Sequence, residues 1–503
     1  MRHSAAELAR RLTLARQVLA RSAEPLQVPL GVVFAPVAAE AHLEAWAEHA
    51  RRAAAGETFA AAALYVHIPF CARVCSYCML SPVRLTGAGV LAAYVDALVR
   101  NVDLLAPAVG ALRFGSLHIG GGTPTLLDAP QLDRLFGALA RLRLEGGAQI
   151  GVEAHPATAT PDRLQALRRH GVGRLSFGVE TLTPAVLAAV NRADQTLARV
   201  QAAIARAKEL GFSVNLDLLA GLPGETEASF AETVRGALAL APDSLSVNRF
   251  LGERSALAAS GHAPDEQAAR RADAMLLAAD AIIHATAPPR WPPGPLPRPG
   301  FGTQYVWDRS PAARRYFQAD MIGPVSTLAI GPGALGHIFG RCFSVTSGSI
   351  PDYFARLGRG ALPDVLASAI DERFEMAFYA AEQAGRGELS AAGFARIFGR
   401  ELGAAFPEEI GFLLRQGYLV WRGDRLCKPP RPDFQTLHLL VILLHDARSL
   451  TARLQELPAA GLPVLAPPRD DQLVLDELPL SMLWSQLAVR ASQASRGGSS
   501  SPG

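Results

Sequence analysis

Short apolar runs alternate with longer helical patterns from Leu64 onward. The apolar runs predict strands at 63–69, 116–120, 149–154, 174–179, 213–219 and 244–249. Helices are predicted between them, including Val90–Leu105, Leu132–Leu142 and Leu197–Leu210. Alternation of this kind predicts a parallel sheet with helices outside it, and six units are fewer than the eight of a closed barrel. We therefore expect an α/β fold, a partial (β/α)6 TIM-like barrel with its chemistry at the carboxyl ends of the strands.

The flanks of this region have other patterns. Spaced leucines with arginines between them predict an amphipathic helix within residues 1–22, and a docking helix is favoured over a transit peptide because Glu7 is acidic and no cleavage signal follows. A further helix is predicted across Glu40–Ala55. The proline-rich stretch 288–299 excludes regular helix and is interpreted as a stiff connector. The predicted divisions are an N-terminal helical extension (1–62), the barrel (63–287), a connector with a post-barrel segment (288–363), a small helical C-terminal domain (364–429), an extension (430–490) and a disordered tail (491–503).

Composition narrows the function classes. Half of the 503 residues are hydrophobic, which excludes global disorder, and a net charge of +3 does not favour nucleic-acid binding. Five cysteines without a disulfide framework indicate the reducing cytoplasm. The longest apolar run, Leu437–Leu444, is too short for a membrane span.

The stretch from Ala63 to Leu80 carries the strongest chemical signal. It places Cys71, Cys75 and Cys78 in a C-x3-C-x2-C spacing directly after the first predicted strand. A structural zinc site needs four ligands, and no second pair of ligands accompanies this loop. Three thiolates on a four-iron cube would leave one iron open for a small molecule, so the spacing predicts a catalytic iron–sulfur cluster.

The segments Tyr65-Val-His-Ile-Pro-Phe-Cys71 and Cys75-Ser-Tyr77-Cys78 resemble the cluster motif of radical S-adenosylmethionine (SAM) enzymes. More narrowly, they are similar to the oxygen-independent coproporphyrinogen III oxidase branch, and the resemblance spans Leu64 to Pro429. It implies a [4Fe–4S] cluster on the three cysteines, SAM on the open iron, a radical SAM barrel with a winged-helix-like C-terminal domain, and an electron donor such as flavodoxin or ferredoxin.

A glycine triplet follows the second predicted strand, in His118-Ile-Gly-Gly-Gly-Thr-Pro-Thr125. Consecutive glycines let a backbone approach a ligand closely, but a tight strand–helix turn would also need them, and both interpretations stay open. The resemblance implies that Gly121 touches the cluster-bound SAM and that Gly122 and Thr123 face a second ligand.

Carboxylates in apolar strands are costly unless paired or hydrated, which singles out Glu153 and Asp217. The resemblance assigns both to the SAM site. It further implies that Arg192 meets the SAM carboxylate by a charge-assisted contact and that Tyr65 positions the ligand. His155 is interpreted as local structure.

Glu180 departs from the branch, which usually has glutamine there. Ionised glutamate only accepts hydrogen bonds and adds charge, so Glu180 would attract a cationic sulfonium, serve as a base, or be a tolerated replacement. The branch is known for a second SAM, and Tyr77, Gly122, Thr123 and Glu180 match the positions expected to contact it. Tyr77 and Glu180 are therefore the candidate catalytic residues.

Leu80 stands where coproporphyrinogen oxidases commonly have another cysteine. For this reason we expect C-methylation or cyclopropane formation on a natural product, with two molecules of SAM. Coproporphyrinogen decarboxylation or haem modification is the first alternative, and haem binding and transfer is the second. Glycines within Gly331–His337 predict a loop that closes over the site.

Overall fold

The computed structural model describes residues 35–36, 38–58, 60–78, 82–250, 266–286, 304–308, 325–370, 372–385 and 388–427. The predictions for the helix within 1–22, the connector at 288–299, Leu80, the extension 430–490 and the tail 491–503 lie outside these residues.

The described strands form one large sheet and two small ones. In chain order, the strands are β1 Ala35–Pro36, β2 Ala62–Ile68, β3 Phe70–Cys71, β4 Val83–Arg84, β5 Phe114–Gly121, β6 Leu144–Ala154, β7 Arg174–Glu180, β8 Ser213–Ala220, β9 Ser244–Arg249, β10 Gln304–Asp308, β11 Ser326–Ile330, β12 Leu335–Ile338, β13 Cys342–Thr346, β14 Asp364–Ala369, β15 Glu388–Ser390, β16 Val420–Arg422 and β17 Arg425–Cys427. Strands β2, β5, β6, β7, β8 and β9 lie side by side and parallel, which confirms the six predicted strands and the barrel type of fold.

Helices cover the outside of these strands. The helices are α1 Ala39–Ala54, α2 Ala88–Val109, α3 Ala129–Leu139, α4 Pro161–Arg169, α5 Pro184–Ala189, α6 Leu197–Glu209, α7 Glu227–Ala239, α8 Glu266–Thr286, α9 Ile350–Gly358, α10 Glu372–Gly385, α11 Ala391–Phe398, α12 Leu402–Ala405 and α13 Pro407–Arg415. None of the described helices combines the length and apolar character that a membrane-spanning helix requires.

Each parallel strand has one apolar and one polar face. In β2, Leu64, Val66 and Ile68 join the main hydrophobic core, whereas Tyr65 and His67 are only partly buried. Apolar and polar residue types also alternate along much of β5 to β9, although β9 is buried at nearly every position. The helices therefore bury the apolar face, and the predicted site residues lie on the polar face.

The large sheet is wider than predicted, because the post-barrel segment supplies strands to it. β11 pairs parallel with β2, and β12, β13, β14 and β1 follow antiparallel, while β10 pairs antiparallel with β9. The predicted loop over the site at Gly331–His337 is instead the turn between β11 and β12 together with most of β12. Gly331 has a φ of +109° and lies so close that a Cβ would approach His67 O to 2.5 Å.

A second, smaller core begins with α10. It contains Phe394, Phe406 and Leu413 and is covered by the antiparallel sheet β15-β17-β16. β16 and β17 pair antiparallel as a hairpin. β14 pairs with β13 in the large sheet and the second core begins with α10, and the boundary at residue 364 stays a prediction.

Candidate active site

The cysteine loop leaves the sheet where β2 ends. Pro69 interrupts the strand, and β3 then pairs with β4, so Cys71 is held beside the sheet edge. The loop is closed by a hydrogen bond from Cys78 N to Cys75 O (3.1 Å), and all three cysteines are partly exposed. Three thiols of one short loop thus lie at the carboxyl edge of the parallel strands.

Two side chains from neighbouring strand ends reach the sulfurs. Thr123 Oγ1 donates to Cys71 Sγ at 3.5 Å, and Arg192 Nη1 lies 3.9 Å from Cys75 Sγ. Burial raises the pKa of Cys71, and the Thr123 hydrogen bond acts in the opposite direction. Asn191, at a φ of +63°, donates from Nδ2 to Val74 O (2.8 Å) and anchors the loop from the β7 side.

The glycine triplet packs closely against neighbouring atoms at each of its positions. A Cβ on Gly120 would lie 2.7 Å from Glu153 Oε1, one on Gly121 2.5 Å from the His67 ring, and one on Gly122 2.6 Å from Phe70 O. Gly122 therefore has to lack a side chain, because its neighbours are backbone atoms of the cysteine segment, whereas the neighbours of Gly120 and Gly121 are side chains.

The residues that follow Gly121 bond to the cysteine segment. Gly122 N donates to Ile68 O (2.7 Å), and Thr123 N donates to Phe70 O (2.8 Å). These two residues, which the resemblance assigns to a second ligand, thus shape the loop that carries the cysteines.

Glu153 is held by two donors on the polar face. Its Oε2 accepts from Gly121 N (2.9 Å), and its Oε1 lies 3.1 Å from His118 Nε2. Burial would raise the pKa of Glu153, but the His118 and Gly121 hydrogen bonds outweigh it and lower that pKa. Tyr65 stacks on His118 and lies 2.8 Å from His67 Nδ1. Sequence reasoning missed His118, although it lies on the same β5 face as Gly120.

Asp217 is fixed from within the sheet. Ser176 Oγ donates to Oδ2 (2.7 Å) and Asn215 Nδ2 to Oδ1 (2.8 Å). Asn215 Oδ1 in turn accepts from Ser244 and Ser246, so this fully buried amide is rigidly placed. Burial raises the pKa of Asp217 against these hydrogen bonds. Ser176 and Asn215 were not predicted, although a period of two places Asn215 on the same face as Asp217.

Glu180 and Arg192 form a buried ion pair, with Nη1 3.3 Å from Oε1. Arg192 also donates to the Tyr77 hydroxyl, Gly178 O and Gln195 Oε1. Burial raises the pKa of Glu180 to about 7, with Arg192 opposing the rise and Asp217 adding to it. The structure thus places both candidate catalytic residues, Tyr77 and Glu180, in contact with Arg192. The contacts of Gly178 and Gln195 with Arg192 were not predicted from the sequence.

The family model of the radical SAM superfamily matches residues 65–237. This region is a radical SAM domain. It includes the cysteine loop, the glycine triplet, Glu153, Glu180, Arg192 and Asp217.

Several named proteins are similar in sequence to part of this chain. An oxygen-independent coproporphyrinogen III oxidase of Bradyrhizobium diazoefficiens is 37% identical over 191 residues, and that of Escherichia coli is 38% identical over 189 residues. The heme chaperone HemW of Lactococcus lactis is 37% identical over 164 residues. These matches cover 37%, 37% and 32% of this chain, and they span only 42%, 41% and 42% of the relatives.

One solved structure shares the fold over most of its length. The coproporphyrinogen III oxidase HemN of Escherichia coli superposes with a TM-score of 0.70, covering 85% of this chain and 98% of that one. Its sequence identity of 22% makes this a likeness of fold.

The donor set fits the cluster and SAM that a radical SAM domain implies. Three thiols share one loop beside a buried guanidinium, and Arg192 Nε has no hydrogen-bond partner among the described residues. No three His, Cys, Asp or Glu side chains in the described part of the chain are arranged for a single metal ion. Iron–sulfur cubes are held by cysteine thiolates, and Cys71, Cys75 and Cys78 would supply three of them.

Proposed function

We propose that this chain is a radical SAM enzyme that holds an iron–sulfur cluster on Cys71, Cys75 and Cys78 and binds SAM beside it. The observation that carries the proposal is the convergence of the cysteine loop with Glu153 and Arg192 at one sheet edge within the radical SAM domain. When bound there, a [4Fe–4S] cluster would supply the electron that cleaves SAM into methionine and a 5′-deoxyadenosyl radical.

The chain's own residues would bind and orient SAM. Glu153, already held by Gly121 N, has the charge to accept from the SAM amino group, and Arg192 has the charge to meet its carboxylate. Asp217 is fixed on both oxygens, which keeps its orientation constant while a ligand binds. The N–H groups of Gly122 and Thr123 bond to the cysteine segment, and a second SAM beside Tyr77, Gly122, Thr123 and Glu180 stays a prediction.

For the substrate we propose a tetrapyrrole, with decarboxylation of coproporphyrinogen III as the first reaction to test. Relatives 37% and 38% identical over the matched region are named oxygen-independent coproporphyrinogen III oxidases. The sequence-based preference for C-methylation or cyclopropane formation finds no support among the relatives reported above. Leu80 is then a replacement within the porphyrin branch rather than a mark of methyl transfer.

The test uses the full chain, reconstituted anaerobically with iron and sulfide and supplied with SAM, reduced flavodoxin, coproporphyrinogen III and a one-electron acceptor, which takes the electron left on the substrate radical when carbon dioxide leaves. We expect 5′-deoxyadenosine and a decarboxylated porphyrinogen. Cys75→Ala should lose the brown cluster absorbance and 5′-deoxyadenosine together, whereas Cys342→Ala, a buried thiol of β13, should keep both. Full 5′-deoxyadenosine formation by Cys75→Ala would overturn the cluster assignment. Formation of 5′-deoxyadenosine without a decarboxylated product would reject the substrate only.

A second candidate is a haem-binding chaperone of the same branch. It is favoured by the similarity to HemW and by Leu80, which replaces the cysteine common in the oxidases. In this case the chain would bind haem with a defined stoichiometry and would not cleave SAM with any electron donor. Titration with haem, followed by its absorbance and by 5′-deoxyadenosine analysis of the same sample, separates the two candidates.

A further inference from the structure

Arg192 is buried, and the protein itself takes up most of its hydrogen-bonding capacity. Nη1 donates to the Tyr77 hydroxyl and to Glu180 Oε1, and Nη2 donates to Gly178 O and Gln195 Oε1. Nε is the one Arg192 nitrogen without a hydrogen-bond partner among the described residues. A carboxylate approaching Arg192 therefore finds the outer, two-nitrogen side of the guanidinium occupied.

The backbone conformation at Glu180 directs its carboxylate toward Arg192. Glu180 has a φ of +66°, in the left-handed region that costs a residue with a side chain about 1–2 kcal/mol, and the β7–β8 register shifts between Gly178 and Glu180. A Cβ on Gly178 would lie 2.8 Å from Glu180 Oε1, so only glycine lets the carboxylate fold back there. A strained residue, a bulge and a glycine together maintain this one ion pair.

The local charge balance opposes a further carboxylate. The Glu180 and Arg192 side chains are 14% and 6% exposed, so their interaction is weakly screened by water. Asp217 and Glu153 lie near enough to raise the pKa of Glu180 as well. An arriving anion would therefore meet three carboxylates around one guanidinium, and Glu180 is the one in direct contact with it.

We infer that Glu180 is the internal counter-ion of Arg192 and must give way when a ligand carboxylate binds there, so that Glu180 sets the affinity of the site for carboxylate-bearing ligands. This inference rests on the proposed function, in which the carboxylate is that of SAM. The direction in which Glu180 changes the affinity for SAM distinguishes the counter-ion role from the other role considered for Glu180, which is attraction of the sulfonium. A residue that attracts the sulfonium strengthens SAM binding, whereas a counter-ion weakens it.

The test is equilibrium dialysis of the reconstituted full chain at pH 8, where Glu180 is ionised, with SAM and with S-adenosylhomocysteine, which keeps the carboxylate but lacks the sulfonium charge. Glu180→Gln keeps the shape and an acceptor oxygen but removes the charge. We expect it to bind both ligands about tenfold more tightly than the unmodified chain. Glu180→Asp, whose shorter carboxylate withdraws from Arg192, is a second variant and should show a smaller gain in the same direction.

Glu225→Gln is the matched control. Glu225 is also a buried glutamate whose pKa burial raises to about 7, but its carboxylate bonds to Gly221 N and Leu222 N in the turn after β8. Its replacement should leave both affinities unchanged. Weaker SAM binding by Glu180→Gln with unchanged S-adenosylhomocysteine binding would overturn the inference in favour of sulfonium attraction. If Glu180→Gln binds both ligands as the unmodified chain does, the inference is overturned and the proposed function is not. If no variant binds SAM, both the inference and the proposed function are overturned.

Discussion

Gly122 is the position where the smallest addition should disturb the site most. A Cβ there would lie 2.6 Å from Phe70 O and 2.8 Å from Pro69 C, both backbone atoms that cannot rotate away. We predict that Gly122→Ala destabilises the fold by about 1–3 kcal/mol and displaces the cysteine segment, so that cluster incorporation is lost. Chemical unfolding and iron content per chain measure the two effects.

The control for this prediction is Gly137→Ala in the exposed part of α3. A Cβ on Gly137 has no heavy atom within 4 Å, and alanine is the better helix former by about 1 kcal/mol. Gly137→Ala should therefore be neutral or stabilising and should bind iron normally. Equal iron content in the two variants would contradict the packing argument for the triplet.

The sequence predicted which residues belong to the site better than it predicted how their side chains are oriented. Glu153 and Asp217 stood out because carboxylates are rare in apolar strands, and both lie on the polar face. Their fixed orientations depend on His118 and Asn215, which contact them from another strand or from two residues away. The sequence around Glu180 does not predict its left-handed backbone conformation. The direction of its side chain toward Arg192 is therefore known only from the structure.

Among the elements, the parallel strands were predictable and the added antiparallel ones were not. β2 and β5 to β9 are apolar runs separated by helices, so their period and spacing agree. β12 and β13 have four and five residues, and glycine-containing turns precede each of them, so a sequence pattern does not distinguish them from a loop. β11 pairs with β2, which lies more than 250 residues earlier in the chain. This pairing depends on tertiary contacts that a local sequence pattern does not predict.

The turn between β8 and α7 should make stability depend on pH. Burial raises the pKa of Glu225 to about 7 from an ordinary 4.5. In the unfolded chain this acid ionises at lower pH than in the folded chain, so folding stability is lost as pH rises from 4.5 through 7. We predict that Glu225→Gln, measured by chemical unfolding, matches the unmodified chain near pH 4.5 and is more stable at pH 8, by at most about 3 kcal/mol. A constant difference between the two pH values would contradict this assignment.

The main hydrophobic core and the second core that begins with α10 are joined by a buried polar contact. His337 of β12 contacts Glu375 of α10 at 2.5 Å, and Gly340 N donates to the same Oε1 at 2.8 Å. His337 also stacks on Phe343 of β13, with ring centroids 4.4 Å apart. The side chains of His337 and Glu375 are 4% and 3% exposed, so water cannot replace either partner. The helix that opens the second core is thereby fastened to the sheet that carries the site.

Breaking this contact should loosen the second core from the first. Glu375→Ala leaves the His337 ring and the Gly340 N–H buried without their acceptor, and we predict a loss of about 3–5 kcal/mol in unfolding free energy. Glu375→Gln keeps one acceptor oxygen and should lose less. Glu372→Ala on the same helix is the control, because its pair with Arg400 is more than half exposed and should contribute under about 1 kcal/mol. Thermal unfolding followed by both tryptophan fluorescence and far-ultraviolet circular dichroism should give one transition for the control and two for Glu375→Ala. If Glu375→Ala unfolds with the midpoint and the single transition of the control, the buried contact does not join the cores.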